Sequence, residues 1–164
     1  MKVLYGAELS IIKFCGEEIA RQRDSPRMVA PLVEAWMWAT DYVLAHRDGR
    51  PHKAISITPG IIQSLHSLAM PHLEASKVGA GWRRVEVVIR GQQVRVPWQE
   101  VPRKIEELCA YQNTGTALEF YREFEEIHPF TDGNGRVGAL LYNWMKETLM
   151  APECPPYLWA KETT

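Results

Sequence analysis

The sequence predicts an all-α protein, a helical bundle with one small β-hairpin. Apolar residues recur at intervals of three and four through most of the chain, which is the spacing of buried helix faces. Strand-like alternation is confined to residues 84–97. With 164 residues, of which 46% are hydrophobic, the chain has the size and the apolar content for one core. We therefore expect residues 1–164 to form a single domain.

The first half of the chain predicts three helices. Residues 8–22 carry an amphipathic pattern, and residues 30–46 carry a wider apolar stripe that is typical of a core helix. A third helix begins at Pro59, because Thr58 is a good N-cap and proline suits the first helical position. Residues 71–81 contain proline and two glycines, and we expect a loop there.

The alternating segment predicts a hairpin with strands near residues 85–89 and 94–96 and a turn at Gly91 and Gln92. A lone hairpin is only marginally stable in water, so it must pack on the helices or present a free edge. A free edge can pair with an extended peptide through backbone hydrogen bonds. The pattern leaves a capping role and a docking role equally open. The alternating apolar residues are Val85, Val87, Ile89, Val94 and Val96.

The second half predicts three more helices and a tail. One helix runs from about Glu100 to Gln112, another is capped by Thr116, and a third follows residue 134. Residues 151–164 contain three prolines and cannot continue as regular helix. A run of glutamates on the second of these helices is interpreted as mainly a solvated face. Its members are Glu119, Glu123, Glu125 and Glu126.

Composition excludes several classes of function. A net charge of −1 gives no reason to expect nucleic acid or an acidic membrane as a partner. Three widely spaced cysteines form no CxxC pair and no disulfide framework, which favours a reducing cytoplasm. The N-terminus has no signal-peptide pattern and no segment has the length of a membrane span. His66 lies beside an apolar helix face and is interpreted as a packing residue, since no histidine pair has metal-ligand spacing.

The break between the last two helices, residues 128–136, carries the candidate chemistry. It reads His-Pro-Phe-Thr-Asp-Gly-Asn-Gly-Arg. Glycines let backbone N–H groups surround an anion, and the positive end of the following helix dipole attracts it. Asp132 is suited to a hard cation such as Mg²⁺, and His128 can accept a proton near neutral pH. An ordinary polar turn would explain any one of these residues, but explains their combination poorly.

This stretch resembles the signature of the Fic family, His-Pro-Phe-x-(Asp/Glu)-Gly-Asn-Gly-Arg-x-x-Arg. Every fixed position from His128 to Arg136 matches, whereas the final arginine is replaced by Ala139. The hairpin and the residues before it, from Gly81, are similar to the family's target-docking flap. We call residues 85–96 the flap. The resemblance extends over about residues 28–150 and implies a Fic-like helical bundle.

The resemblance implies a transferase that moves AMP from ATP to a hydroxyl group of a target protein with Mg²⁺. The implied roles are His128 as general base, Asp132 as metal ligand, Phe130 as buried anchor of the motif, the backbone of Gly133 and Gly135 with the Asn134 side chain as anion nest, and Arg136 as a phosphate ligand. The implied partner is a target protein docked on the flap, with an antitoxin or other inhibitor acting in trans as a further possibility. The implied location is the cytoplasm, or a host cell if the protein is a secreted effector.

Ala139 leaves three outcomes open. The missing arginine would reach the terminal phosphate of ATP, and losing a charge-assisted contact costs about 1.5–3 kcal/mol. The protein is then a weakened AMP transferase, a transferase that uses a diphosphate-linked donor, or a Fic-shaped binding module without catalysis. The intact residues 128–136 argue against the last. If residue 139 lies beside Arg136, an arginine restored there is expected to raise activity with ATP.

Overall fold

The computed structural model describes residues 2–51, 54–76 and 79–158, and it confirms the all-α prediction with one small hairpin. The helices are α1 (Lys2–Arg21), α2 (Val29–His46), α3 (Pro59–Ala69), α4 (Pro71–Ser76), α5 (Val101–Ala110), α6 (Ala117–Ile127) and α7 (Asn134–Lys146). The strands are β1 (Val88–Ile89) and β2 (Gln92–Gln93), paired antiparallel. No helix in the described ranges is long and apolar enough to cross a membrane.

Helix α7 is the centre of the bundle. It packs against α6 and α3, and α2 packs against α1 and α3. All but two of its residues are buried, including Leu141 and Trp144, which are 0% exposed. A helix surrounded on every side needs apolar residues all round, which explains why its sequence lacks a clean polar face. The motif stretch therefore leads directly into the most buried element of the protein.

Helix boundaries follow local capping chemistry. The Thr58 side chain accepts a hydrogen bond from the Ile61 N–H at 3.1 Å, which starts α3 where the sequence predicted. Thr116 and Glu119 form a reciprocal capping box at the start of α6. Two boundaries differ from the prediction. Helix α1 begins at Lys2 rather than residue 8, and residues 71–76 of the predicted loop form the short helix α4.

The flap is shorter as a sheet than the alternation suggested. Each strand has two residues, and the turn lies at Arg90 and Gly91 rather than Gly91 and Gln92. Both turn residues have positive φ, 50° and 78°, which is the conformation that two-residue hairpins prefer. One further backbone bond, from the Val94 N–H to the Val87 carbonyl at 3.0 Å, extends the pairing. The predicted hairpin is confirmed, but the predicted strand ends and turn are wrong.

The Pro-rich tail returns along α7. Asn143, which is 0% exposed, donates to the Glu153 carbonyl and accepts from the Glu153 N–H. Farther along, the ring of Tyr157 lies under the guanidinium of Arg90, 4.6 Å from it. The tail thus connects the end of α7 to the tip of the flap.

Candidate active site

The motif loop, residues 128–136, is shaped by two residues in left-handed conformation. His128 ends α6 with φ 49°, and Gly133 precedes α7 with φ 84°. A Cβ atom at Gly133 would stand 2.7 Å from Cγ of Met70, so glycine is required there by both conformation and space. His128 has no such freedom, and a left-handed conformation costs a non-glycine residue roughly 1–2 kcal/mol. The surroundings of His128 must offset that cost.

His128 is half-buried, whereas we expected the proposed base to lie exposed at the mouth of a pocket. Its Nδ1 atom is buried and has no hydrogen-bond partner among the described residues. Burial lowers the pKa of the imidazole, the backbone of Glu125 opposes that change, and the nearby charge of Arg83 lowers the pKa further. A neutral imidazole is the form that accepts a proton. The ring is therefore kept in the state that a general base needs.

Asp132 lies exposed just before α7, and its role as a metal ligand stays a prediction. One of its carboxylate oxygens accepts from the Gly133 N–H at 2.7 Å. Mg²⁺ in nucleotide sites is usually held by one or two carboxylates together with substrate phosphates. No group of three or more potential ligands occurs within the described ranges, so a cation here would depend on phosphate oxygens as well.

Asn134 is placed differently from the expectation that its side chain lines an anion nest. The amide is buried and bonds both backbone groups of Phe130, accepting from its N–H at 2.9 Å and donating to its carbonyl at 2.8 Å. Asn134 therefore closes the loop upon itself. The backbone N–H groups at Gly133 and Gly135 remain the candidates for the nest, although that of Gly133 is bonded to Asp132 here.

Phe130 is the buried anchor that the resemblance implied. It is 0% exposed and stacks on the ring of His66, with centroids 3.7 Å apart. A ring nitrogen of His66, Nε2, lies 2.8 Å from the carbonyl oxygen of Asp132. His66 thus does more than pack, because it also holds the loop backbone. The sequence contained no signal for this role, since the partners lie 66 residues apart.

Arg136 is buried and its guanidinium is bonded within the protein. Nε donates to the Gln22 side chain at 2.6 Å, one terminal nitrogen pairs with the Asp24 carboxylate, and the other lies 3.0 Å from Sδ of Met70. Only 4% of the Arg136 side chain is exposed. The predicted phosphate contact is therefore not available in this conformation. A phosphate would have to replace Gln22 and Asp24.

Ala139 belongs to the hydrophobic core and is 2% exposed. An arginine at this position would have to displace core side chains or carry its charge into them, and both are destabilising. The expectation that arginine restores a phosphate contact here is therefore not supported by the packing. The core has adapted to alanine.

Glu125 is the clearest departure from the interpretation of the glutamate run as a solvated face. It is buried, and burial followed by the nearby charge of Glu18 raises the pKa of its carboxyl to about 7. Its Oε1 atom has no hydrogen-bond partner among the described residues. The adjacent helix leaves room for this carboxyl only because residue 138 is glycine. The sequence offered no means to separate Glu125 from its exposed neighbours.

The flap side chains do not form one shared face. Val85 is 51% exposed and Val94 is buried, whereas Val87, Ile89 and Val96 are half-buried. Val88, which was not among the predicted docking residues, is 64% exposed. Two surface cavities, of about 250 and 590 Å³, lie around the start of α6 and include no residue of the motif loop. They do not contribute to this site.

Comparison with known proteins identifies the same region. A model of the Fic/DOC family matches residues 56–145, more than half of the chain. A probable protein adenylyltransferase of Aquifex aeolicus is 25% identical over 144 residues, in a match that covers 83% of this chain and 44% of that protein. The solved structure of Fic-1 from C. elegans is similar in fold, with a TM-score of 0.57 and 22% identity over 79% of this chain and 39% of its own. The chain spans less than half the length of these relatives.

Proposed function

The chain belongs to the Fic/DOC family, and on that premise we propose that it transfers AMP from ATP to a hydroxyl group of a protein. The observation that carries the proposal is the arrangement of the motif loop. A half-buried histidine with a lowered pKa stands before a glycine-rich turn at the N-terminus of a buried helix. That arrangement supports the proposal, because a neutral histidine can accept a proton and backbone N–H groups at a helix N-terminus can bind an anion. The relative named as an adenylyltransferase supports the same reaction class.

In the proposed reaction, the target hydroxyl oxygen attacks the α-phosphorus of ATP. The hydroxyl proton passes to His128, the bond from the α-phosphorus to the bridging oxygen breaks, and pyrophosphate leaves with that oxygen. A cation bound at Asp132 would neutralise charge on the phosphate oxygens. Backbone N–H groups near Gly133 and Gly135 stabilise the charge that develops on the phosphate. Arg136 contributes only after it leaves Gln22 and Asp24.

A donor without a γ-phosphate is the second candidate, because Ala139 is packed in the core. No cation stands at residue 139 to meet the end of a triphosphate. A donor that is linked through a diphosphate has no γ-phosphate, so the missing cation at residue 139 would not weaken its binding. The base of the nucleotide and the target protein are separate questions that a labelling experiment answers.

The test is incubation of the purified chain with a cell lysate and nucleotides labelled at the α-phosphate. ATP is compared with CDP- and UDP-linked donors, in wild type, His128→Ala and His46→Ala. His46 is exposed at the end of α2 and lies outside the motif loop, so its loss should leave labelling unchanged. Removing the general base should lower labelling about 10²- to 10⁴-fold. Equal labelling by wild type and His128→Ala would refute the proposed role of His128, and labelling only from a diphosphate donor would replace ATP.

A further inference from the structure

Arg83 is a fully buried arginine that lies outside the motif. Its side chain is 0% exposed, and its carboxylate neighbour, Glu86, is 3.8 Å away and 40% exposed. Burying a guanidinium is costly unless its N–H groups are bonded, so its partners indicate what the residue does. Those partners are almost entirely backbone carbonyl groups.

One set of contacts reaches the motif loop. Nε donates to the carbonyl of His128 at 2.7 Å, and a terminal nitrogen donates to the carbonyl of Ile127 at 3.2 Å. The backbone N–H of Arg83 also donates to the carbonyl of Pro129 at 2.8 Å. The carbonyls at the C-terminal end of a helix have no partner within the helix, and a cation there also interacts favourably with the negative end of the helix dipole. Arg83 therefore satisfies the end of α6 at the residue that bears the proposed base.

The other set of contacts reaches the flap. One terminal nitrogen donates to the carbonyl of Val85 at 3.0 Å, and the other donates to the carbonyl of Val96 at 2.6 Å. These residues are the first and last of the flap. A single rigid guanidinium thus joins both ends of the flap to the backbone at His128. Lysine could not reproduce this pattern, because its ammonium lacks the planar fork of donors.

His128 needs such support because its backbone is left-handed. Its N–H is bonded to the Phe124 carbonyl at 3.0 Å, whereas its ring nitrogen Nδ1 has no partner in the described part of the chain. Arg83 is the side chain that bonds the carbonyl on the other side of the residue. Strained conformations persist only when the surrounding structure determines them.

We propose that Arg83 is the positioning residue of this site: it holds His128 in its left-handed conformation and ties it to the flap. The proposal rests on the proposed function for its catalytic meaning, but its structural part does not need transfer to occur. A target pairing with the flap would therefore meet a base whose backbone is fixed by the same side chain. Arg83 contacts neither nucleotide nor target and acts only through His128.

The test separates the charge of Arg83 from its fork of donors. Arg83→Lys keeps the charge and loses the fork, Arg83→Gln loses both, and Arg122→Gln is the matched control, since Arg122 is an exposed arginine on α6 outside the motif loop and the flap. Three measurements are made on the full chain: the His128 ring titration by NMR, amide hydrogen exchange at Ile127 and His128, and the kcat and KM of labelling with ATP.

The expected results differ between the variants. Arg83→Gln should raise the pKa of His128, because a neighbouring positive charge is removed, and should speed amide exchange at Ile127 and His128. Arg83→Lys should leave the pKa of His128 unchanged, because the positive charge remains, but it should speed amide hydrogen exchange. It should also lower kcat about ten- to a hundredfold, with the KM for ATP unchanged. Arg122→Gln should behave as wild type in all three measurements.

Several outcomes would overturn the proposal. Wild-type exchange and kcat in folded Arg83→Lys would show that the fork does not position His128, and that variant decides the matter if Arg83→Gln fails to fold. A kcat loss that merely follows the fraction unfolded would assign Arg83 to general stability. If wild type labels nothing with any donor, the proposed function fails, yet the titration and exchange results still test Arg83.

Discussion

The motif loop and the flap lie side by side and are held in opposite ways. In the loop, buried side chains bond the backbone at three positions: Arg83 at His128, Asn134 at Phe130 and His66 at Asp132. In the flap, two residue pairs and a few flanking bonds hold the hairpin, and Val88 at its edge is 64% exposed.

This difference matches two requirements of the proposed reaction, a fixed set of reacting groups and an accessible docking surface. Groups that act on a reacting atom must be held in place before the substrate arrives. A surface that accepts an extended peptide needs unpaired backbone groups, which a fully packed element cannot offer. The loop is accordingly held by buried side chains along its length, whereas the flap is held by Arg83 at its two ends, by Tyr157 at its tip and by its own turn. Substitutions should therefore be costly in and beneath the loop and inexpensive in the flap.

The largest effect is expected beneath the loop, at Glu125. The pKa of its carboxyl is about 7 in the folded protein, above the ordinary 4.5, so the folded state holds a proton that the unfolded state releases. The contribution of Glu125 to the free energy of unfolding should therefore be fully present below about pH 4.5 and be lost as pH rises through 7. Glu125→Gln cannot ionise and should be more stable than wild type by about 3 kcal/mol at pH 8.

Urea unfolding of this variant at pH 4.5 and pH 8 makes the measurement. The gain should vanish at the lower pH, and Glu123→Gln, an exposed change on the same helix, should show no such dependence. A pH-independent gain in Glu125→Gln would mean that the carboxyl is ionised in the folded protein.

The next effect is expected within the loop, at Asn134. Asn134→Ala removes two hydrogen bonds and leaves both backbone groups of the buried Phe130 unpaired. The free energy of unfolding should fall by about 2 kcal/mol, measured by urea denaturation. Asn113→Ala, on an exposed turn, should change it by less than about 0.5 kcal/mol. Equal values for the two variants would show that the loop is not held by this side chain.

A smaller effect is expected where the loop meets the segment after α1. Asp24→Asn removes the carboxylate that pairs with Arg136 and should free the guanidinium for phosphate. ATP binding, measured by calorimetry, should tighten about two- to fivefold, a modest value because Asp24 is partly exposed. Asp41→Asn, exposed on α2, serves as control. Weaker ATP binding in Asp24→Asn would indicate that Asp24 orients Arg136 instead of competing for it.

The smallest effect is expected in the flap. Val88→Thr keeps the shape of an exposed strand residue and should change the free energy of unfolding by less than about 0.5 kcal/mol. Thermal unfolding followed by circular dichroism is sufficient to measure it. If Val88→Thr lowered the free energy of unfolding as much as Asn134→Ala, the flap and the loop would not differ in their sensitivity to substitution.

The sequence predicted what local chemistry determines. Thr58 and Thr116 cap their helices as expected, and the glycines of the motif loop lie at a helix start. The sequence could not show which of the adjacent Arg83 and Arg84 is buried, because both fit the same pattern. Nor could it show that Gln22 and Asp24 accept hydrogen bonds from the Arg136 guanidinium, since each lies more than 110 residues from Arg136. Such contacts depend on how the helices pack.

The contacts of Arg83 have a consequence for how this protein can evolve. They are made to carbonyl groups, which every amino acid provides, so they place no demand on the side chains at Val85, Val96 or Ile127. Mutations can therefore change the exposed surface of the flap while the link between flap and histidine is inherited intact. The proposed docking specificity and the proposed reaction could then diverge at separate rates.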